Sequence, residues 1–138
     1  MKKNKWILFV AVTTAGVLFV TSCAKDDESA GGNDRDKFLG AWITTSTGSV
    51  SGTLNFTMNI TAGSSSPTQI KIENFDAEGS GLFRFADVGG NALSITQQSI
   101  SGDTISGSGT YNSNNTLSFT YTIRDGQTVE NRTATAHK

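Results

Sequence analysis

Among 138 residues there is one cysteine, one proline and one histidine, and each scarcity removes a class of explanation. A lone cysteine, Cys23, has no partner in the chain, so no disulfide framework supports the fold. A catalytic serine or cysteine needs a base, and the single histidine, His137, lies in a terminus expected to fray. Carboxylate, imidazole and thiolate groups do not recur at metal-ligand spacing. Asp76-Ala77-Glu78-Gly79 offers two acids beside a glycine, where an EF-hand-type loop needs several more oxygen ligands in register. It reads as a solvated turn. No excess of basic residues exists either: 11 Lys and Arg face 12 Asp and Glu, which argues against a nucleic-acid partner. Catalytic, metal and cofactor roles are therefore not expected. The longest apolar stretch, Trp6 to Val20, is interrupted by Thr13, Thr14 and Gly16 and is shorter than the ~20 residues of a membrane-spanning helix.

That stretch follows Met1-Lys2-Lys3-Asn4-Lys5 and ends in Thr21-Ser22-Cys23, the layout of an export signal. Val20-Thr21-Ser22-Cys23 resembles the lipobox of bacterial lipoproteins, which implies cleavage after residue 22 and acylation of Cys23 as the new N-terminus. The leader would occupy 1–22, a lipidated and flexible acidic tether 23–37, and one β-domain 38–138. Loss of Lys2, Lys3 and Lys5 leaves eight basic against twelve acidic side chains, a soluble balance. From Ala24 to Lys37 no aromatic or β-branched residue is present, so ordering entropy is not offset by burial. Asp26-Asp27-Glu28 resembles the signal that sends lipoproteins of Bacteroidota to the outer face of the outer membrane; a plain spacer is the other reading.

Asn33 or Asp34 is placed to cap a short turn through Phe38 and Leu39. Beyond Gly40 helix signals stop, and apolar residues recur at period two among Thr, Ser, Gly and Asn. Leu54, Phe56, Met58 and Ile60 alternating with Asn55, Thr57, Asn59 and Thr61 is the clearest case. Eight strands are expected, at about 41–49, 53–62, 68–75, 81–87, 92–99, 104–111, 116–124 and 127–137. Asp125-Gly126 is the strongest two-residue hairpin signal, and Pro67 falls in a loop, where it costs no ladder bond. Links this short make neighbouring strands antiparallel. The expected fold is all-β: an eight-stranded antiparallel up-and-down meander barrel, with a two-sheet β-sandwich as the alternative.

Phe38-Leu39-Gly40-Ala41-Trp42 resembles the opening of lipocalin-like (calycin-type) barrels. The resemblance implies that Trp42, introduced by Gly40, plugs the closed end and that a basic residue packs across the indole, with Arg132 of the last strand as the candidate and Arg124 as the alternative. Leader, acidic tether and Ser/Thr/Gly-rich meander together resemble uncharacterised lipocalin-like lipoproteins of Bacteroidota. That likeness implies little biochemistry; with no catalytic constellation and a barrel expected, the reading is a surface-anchored, non-enzymatic monomer that takes a small apolar or amphipathic ligand. Candidate lining residues are Phe56, Met58, Ile60, Ile72, Phe83, Phe85, Phe119 and Tyr121, which equally well serve as plain core. A module of a cell-surface complex, in nutrient uptake or adhesion, is the alternative. Asp103-Thr104-Ile105 resembles the short O-glycosylation site of exported Bacteroidota proteins, at Thr104. Gly107 and Gly109 read as points of close approach within a strand rather than as a phosphate loop. Replacing Cys23 with Ala should leave the fold intact and move the protein from the membrane to the soluble fraction on cell fractionation, because each buried acyl methylene contributes ~0.8 kcal/mol of anchoring.

Overall fold

Alternation of apolar and polar side chains yields eight strands that close on themselves. The computed structural model describes residues 33–138; Cys23, the leader and Asp26-Asp27-Glu28 lie outside them. In chain order the strands are β1 Gly40–Gly48, β2 Gly52–Ala62, β3 Gln69–Glu73, β4 Phe83–Gly89, β5 Ala92–Ile100, β6 Asp103–Tyr111, β7 Thr116–Asp125 and β8 Thr128–His137. Each pairs antiparallel with the next, and β1 pairs with β8 from Ile43↔His137 to Gly48↔Arg132. The sheet is a closed up-and-down barrel, which removes the free edges that a sandwich would leave.

Inward positions carry the core: Trp42, Met58, Ile60, Ile70, Ile72, Ala86, Val88, Leu93, Ile95, Ile105, Leu117, Phe119, Tyr121, Ala134 and Ala136 are all buried. Leu54, Phe56 and Ile123 share the inward parity but are half-buried near one rim. Gly107 and Gly109 stand opposite Tyr121 and Phe119, and a Cβ on either would run into those residues. The glycines make room for aromatic rings inside the barrel.

One end, where β1 starts, is shut by aromatics. Residues Asp36–Phe38 form a 3-10 turn, Phe38 is fully buried, and its carbonyl accepts the Trp42 indole N–H at 2.7 Å. Tyr111 meets both rings edge-on. No side chain caps this turn, contrary to the expectation for Asn33 and Asp34. Instead the Asn33 amide donates to the Pro67 carbonyl, and Arg35 donates to the carbonyls of Gly63, Ser66 and Gln69. Residues 33–37, assigned to the tether by composition, are thus docked on the barrel: a guanidinium can satisfy several loop carbonyls without burying any apolar surface.

Three side-chain directions differ from expectation. Arg132 pairs with Gly48, at the far end of β1 from Trp42, because β8 runs antiparallel to β1. The cation over the indole is Lys138, whose Nζ lies 4.6 Å from the ring and donates to the Leu39 carbonyl at 2.7 Å. Phe83 and Phe85 point outward, Phe85 being 40% exposed, since β4 turns Arg84, Ala86 and Val88 inward. The hairpin turns also shift: Asp125 pairs with Thr128 and Ile100 with Asp103, so Gly126-Gln127 and Ser101-Gly102 occupy the turns. Ser101 and Gly102 both take positive φ, the twist that suits a two-residue hairpin. Met58→Ala should cost about 2–5 kcal/mol in urea unfolding, whereas outward Thr57→Ala should cost no more than about 0.5 kcal/mol.

Candidate functional site

At the opposite end the chain between β3 and β4 folds back into the barrel mouth. Its 3-10 turn, Phe75–Ala77, buries Phe75 against Phe119 and Tyr121, with ring centroids 5.7 and 4.7 Å away. Asn74, Asp76 and Ala77 all hold left-handed backbone conformations, with φ of 57°, 56° and 62°. Non-glycine residues adopt this region at a cost, and the surroundings must hold them there. Here the Asn74 side chain donates to the Thr57 carbonyl at 2.9 Å and accepts the Gly79 N–H at 2.7 Å. Asp76-Ala77-Glu78-Gly79, expected to be a solvated turn, is therefore a plug: its two acids meet two buried arginines.

Arg132 enters from β8 and is 1% exposed. Its Nε lies 2.9 Å from Asp76 Oδ1 and donates to Ser46 Oγ at 2.9 Å; Nη1 lies 3.2 Å from Glu130 and donates to Ser51 Oγ; Nη2 donates to the Gly52 carbonyl at 3.3 Å. Tyr121 donates to Asp76 Oδ1 at 2.5 Å and shares a 2.7 Å hydrogen bond with Ser46. Glu130 accepts the backbone N–H groups of Val50 and Ser51 at 3.0 and 2.8 Å, tying down the β1–β2 turn. A side chain at Gly48 would fall on that carboxylate and push it away from the turn.

Environment splits the acids. Donation from the Ser51 N–H, with further help from the Ser51 hydroxyl, Val50 and Arg132, holds Glu130 down at about 2 despite burial. Burial pushes Asp76 above the ordinary carboxylate range, with Tyr121 and Arg132 only partly opposing it. Tyr121 is pushed well up by burial and by its bond to Asp76. Ser46 Oγ accepts from Arg132 Nε and shares its other hydrogen bond with the Tyr121 hydroxyl.

The second pair is less complete. Arg84, 1% exposed, meets Glu78 through Nη2 and Oε1, while Arg84 Nε, Arg84 Nη1 and Glu78 Oε2 have no hydrogen-bond partner among the described residues. Buried polar atoms are rarely left so. Burial also raises the Glu78 pKa, against the opposing effect of Arg84.

Of the residues singled out from sequence, Met58, Ile60, Ile72, Phe119 and Tyr121 face inward, Phe56 does so half-buried, and Gly40 opens β1 with φ of 114° beneath Lys138. Trp42 and Arg132 occupy opposite ends. Thr104 lies beside the β5–β6 turn, its hydroxyl 2.7 Å from that of Ser99. Sequence reasoning did not find Ser46, Glu130, Arg84 or the inward role of Asp76 and Glu78. The available signal was parity: Arg84 and Glu130 share a strand face with Ala86, Val88, Ala134 and Ala136. Among the described residues no group of three His, Cys, Asp or Glu is placed to hold a metal. Two hollows open on the outer surface, about 310 Å³ beside Phe85 and about 220 Å³ between Thr57, Asn59 and Glu73.

The fold has solved counterparts. The structure of EF1p2_mFAP2b bound to DFHBI superposes with a TM-score of 0.56 at 18% identity, over 78% of this chain and 99% of that one. A redesigned β-barrel gives 0.55 at 18% identity, over 77% and 95%. At that identity the likeness concerns the fold alone. No protein-family model and no curated protein matches the chain.

The Glu130 shift has a defined sign. A carboxyl at about 2 in the fold and 4.5 otherwise adds stability that is complete above about pH 5 and disappears as pH falls towards 2. Asp76 and Glu78, shifted upward, act in the opposite direction. The stability difference between the native chain and Glu130→Gln, from urea unfolding, should therefore be largest near neutrality and shrink between about pH 5 and pH 2.

Proposed function

We propose that this chain is an exported lipoprotein held to a membrane by acyl groups on Cys23, and that its barrel is a lipocalin-like, non-enzymatic binder of a small amphipathic ligand. The leader and Cys23 support the anchor, with a tether shorter than composition suggests, since residues 33–37 are docked. Asp26-Asp27-Glu28 supports delivery to the cell surface. A basic residue across the indole of Trp42 at the closed end, Lys138, fits the lipocalin-like reading, although Arg132 does not play that part.

The observation that carries the ligand proposal is Arg84. A buried guanidinium with two unpartnered nitrogens lies under a plug whose backbone is held in left-handed conformations. A ligand head with acceptor oxygens would satisfy those nitrogens once the plug moves. Its apolar body would lie along Leu54, Phe56 and Ile123, the half-buried inward side chains at this rim. A neighbour of the same fold binds DFHBI, which is consistent with a barrel of this size acting as a binder.

Native mass spectrometry of protein taken gently from its own membrane should show a species heavier than the acylated chain by one small molecule. Arg84→Met, which removes the unpartnered nitrogens while keeping the inward position filled, should lose that added mass and stay folded. A mass equal to the acylated chain alone, in both proteins, would count against the proposal.

A further inference from the structure

On the outside of the barrel the ladder between β4 and β5 comes apart. These strands pair only at Asp87↔Ser94, Val88↔Leu93 and Gly89↔Ala92, so β4 above Asp87 has no β5 residue opposite it. The gap is spanned by one side chain. Gln98 Oε1 accepts the Phe85 N–H at 2.8 Å and Gln98 Nε2 donates to the Phe85 carbonyl at 2.5 Å, replacing a strand partner with an amide that offers the same donor and acceptor. On β5 the register slips between Ile95 and Gln98, and Thr96 and Gln97 are exposed in succession, breaking the alternation. A bulge of this kind re-aims side chains and is common beside functional sites.

The consequence is a concavity with an aromatic floor. Phe85 is 40% exposed. Lys71 stands opposite it on β3, but the ammonium lies 4.3 Å from the Phe83 ring and leaves Phe85 uncovered. The hollow of about 310 Å³ is lined besides by Ser65, Gln69, Asp87, Thr96 and Gln97 together with Gln98. It has one carboxylate and no lysine or arginine, which excludes anionic ligands. Five neutral hydroxyl and amide side chains surround the ring, and a lone organic cation would use Asp87 and Phe85 while leaving most of those groups idle. A lipid tail would use the ring and strand all of them.

We propose that this outer hollow binds a neutral sugar ring, stacked by its C–H face on Phe85 and hydrogen-bonded at its hydroxyl edge by Asp87, Gln69 and Gln97. The negative face of the phenyl ring suits polarised C–H groups, and a few placed polar groups around an apolar floor give orientation. The site is separate from the barrel mouth: it uses the outward parity of β4, whereas Arg84 uses the inward one.

The test is a titration of the full chain in detergent with glucose, galactose, mannose and N-acetylglucosamine, followed by NMR of the Gln98 side-chain amide and by saturation transfer to the sugar. Tetramethylammonium serves as the competing cation. Expected is a saturable shift with at least one of the sugars in the millimolar range, weakened about tenfold or more by Phe85→Ala and by Asp87→Asn. Ile43→Ala, at an exposed position on β1, should bind as the native chain does. Because Phe85 and Asp87 point to solvent, both variants should keep the native circular dichroism spectrum. The proposal is overturned if no sugar saturates, if binding survives both substitutions, or if tetramethylammonium binds and the sugars do not. Arg84→Met should leave sugar binding unchanged, so failure here and failure at the mouth are separable.

Discussion

A guanidinium cannot be left uncompensated inside a barrel, and the position of Arg132 dictates much of what surrounds it. Taking such a charge out of water costs several kcal/mol, recovered only where geometry and hydrogen bonding are nearly complete. Here the completion comes from four places in the chain: Asp76 from the plug, Glu130 from the same strand, Ser46 from β1 and Ser51 from the β1–β2 turn. Each contribution imposes a constraint of its own. Asp76 reaches the arginine only from a left-handed backbone, Glu130 reaches the turn only because Gly48 has no side chain, and Tyr121 is oriented by the carboxylate it serves. Removing the arginine would leave Asp76 and Glu130 buried without their counter-charge, a larger loss than the pair itself contributes.

The two ends of the barrel are therefore closed by different physics. At the Trp42 end, closure is aromatic and stands mostly on apolar contact, with Lys138 and Lys37 laid over ring faces. At the other end it is ionic, and three residues of one turn, Asn74, Asp76 and Ala77, hold left-handed conformations, with Asn74 tied by its amide and Asp76 by Tyr121 and Arg132. Displacing the plug would break these ionic contacts and lift Phe75 from Phe119 and Tyr121 while leaving Trp42 and Phe38 packed.

How far the sequence disclosed this arrangement depends on what each strand carries. In β2 and β7 the apolar set falls on one parity and polar residues on the other, so direction, pairing and closure were all legible. In β4 and β8 the parities compete. Phe83 and Phe85 argue for one face of β4, but Asp87 travels with them; Ala86 and Val88 argue for the other, but Arg84 travels with those. Local hydrophobicity cannot decide between burying a carboxylate and burying a guanidinium. The decision came from Glu78, six residues upstream in a segment that looked like a turn, which supplies the counter-charge for Arg84. For β8 the same holds: the apolar Val129 stands on the parity opposite to Arg132 and is 43% exposed, and Asp76, 56 positions away, makes an inward Arg132 tolerable. Turn positions shifted by one residue because a positive φ is needed at the first central position, which Gly126 and Ser101 provide. Lys138 was missed as the partner of Trp42 because antiparallel closure of β1 on β8 brings the last residues of the chain, not its final arginine, to the start of the first strand.

The parity of β4 has effects on both sides of the sheet. Turning Arg84 inward gives the mouth its second charge pair, and the same turn puts Phe85 and Asp87 outside as a neighbouring aromatic and acid. A one-residue slip of β4 would reverse both faces at once, since successive side chains alternate across the sheet. Such a slip is opposed by the β3 ladder from Phe83 to Asp87 and by β5 from Asp87 to Gly89, but on the β5 side no ladder pair holds Phe83 to Ala86. Gln98 is the group that compensates. By bonding both backbone groups of Phe85 it holds the residue between Arg84 and Ala86 in an outward register while letting β5 bulge away. The inward charge and the outward hollow thus share one structural cause, a strand held in register by β3 on one side and by a side-chain amide on the other, where the β5 ladder has ended.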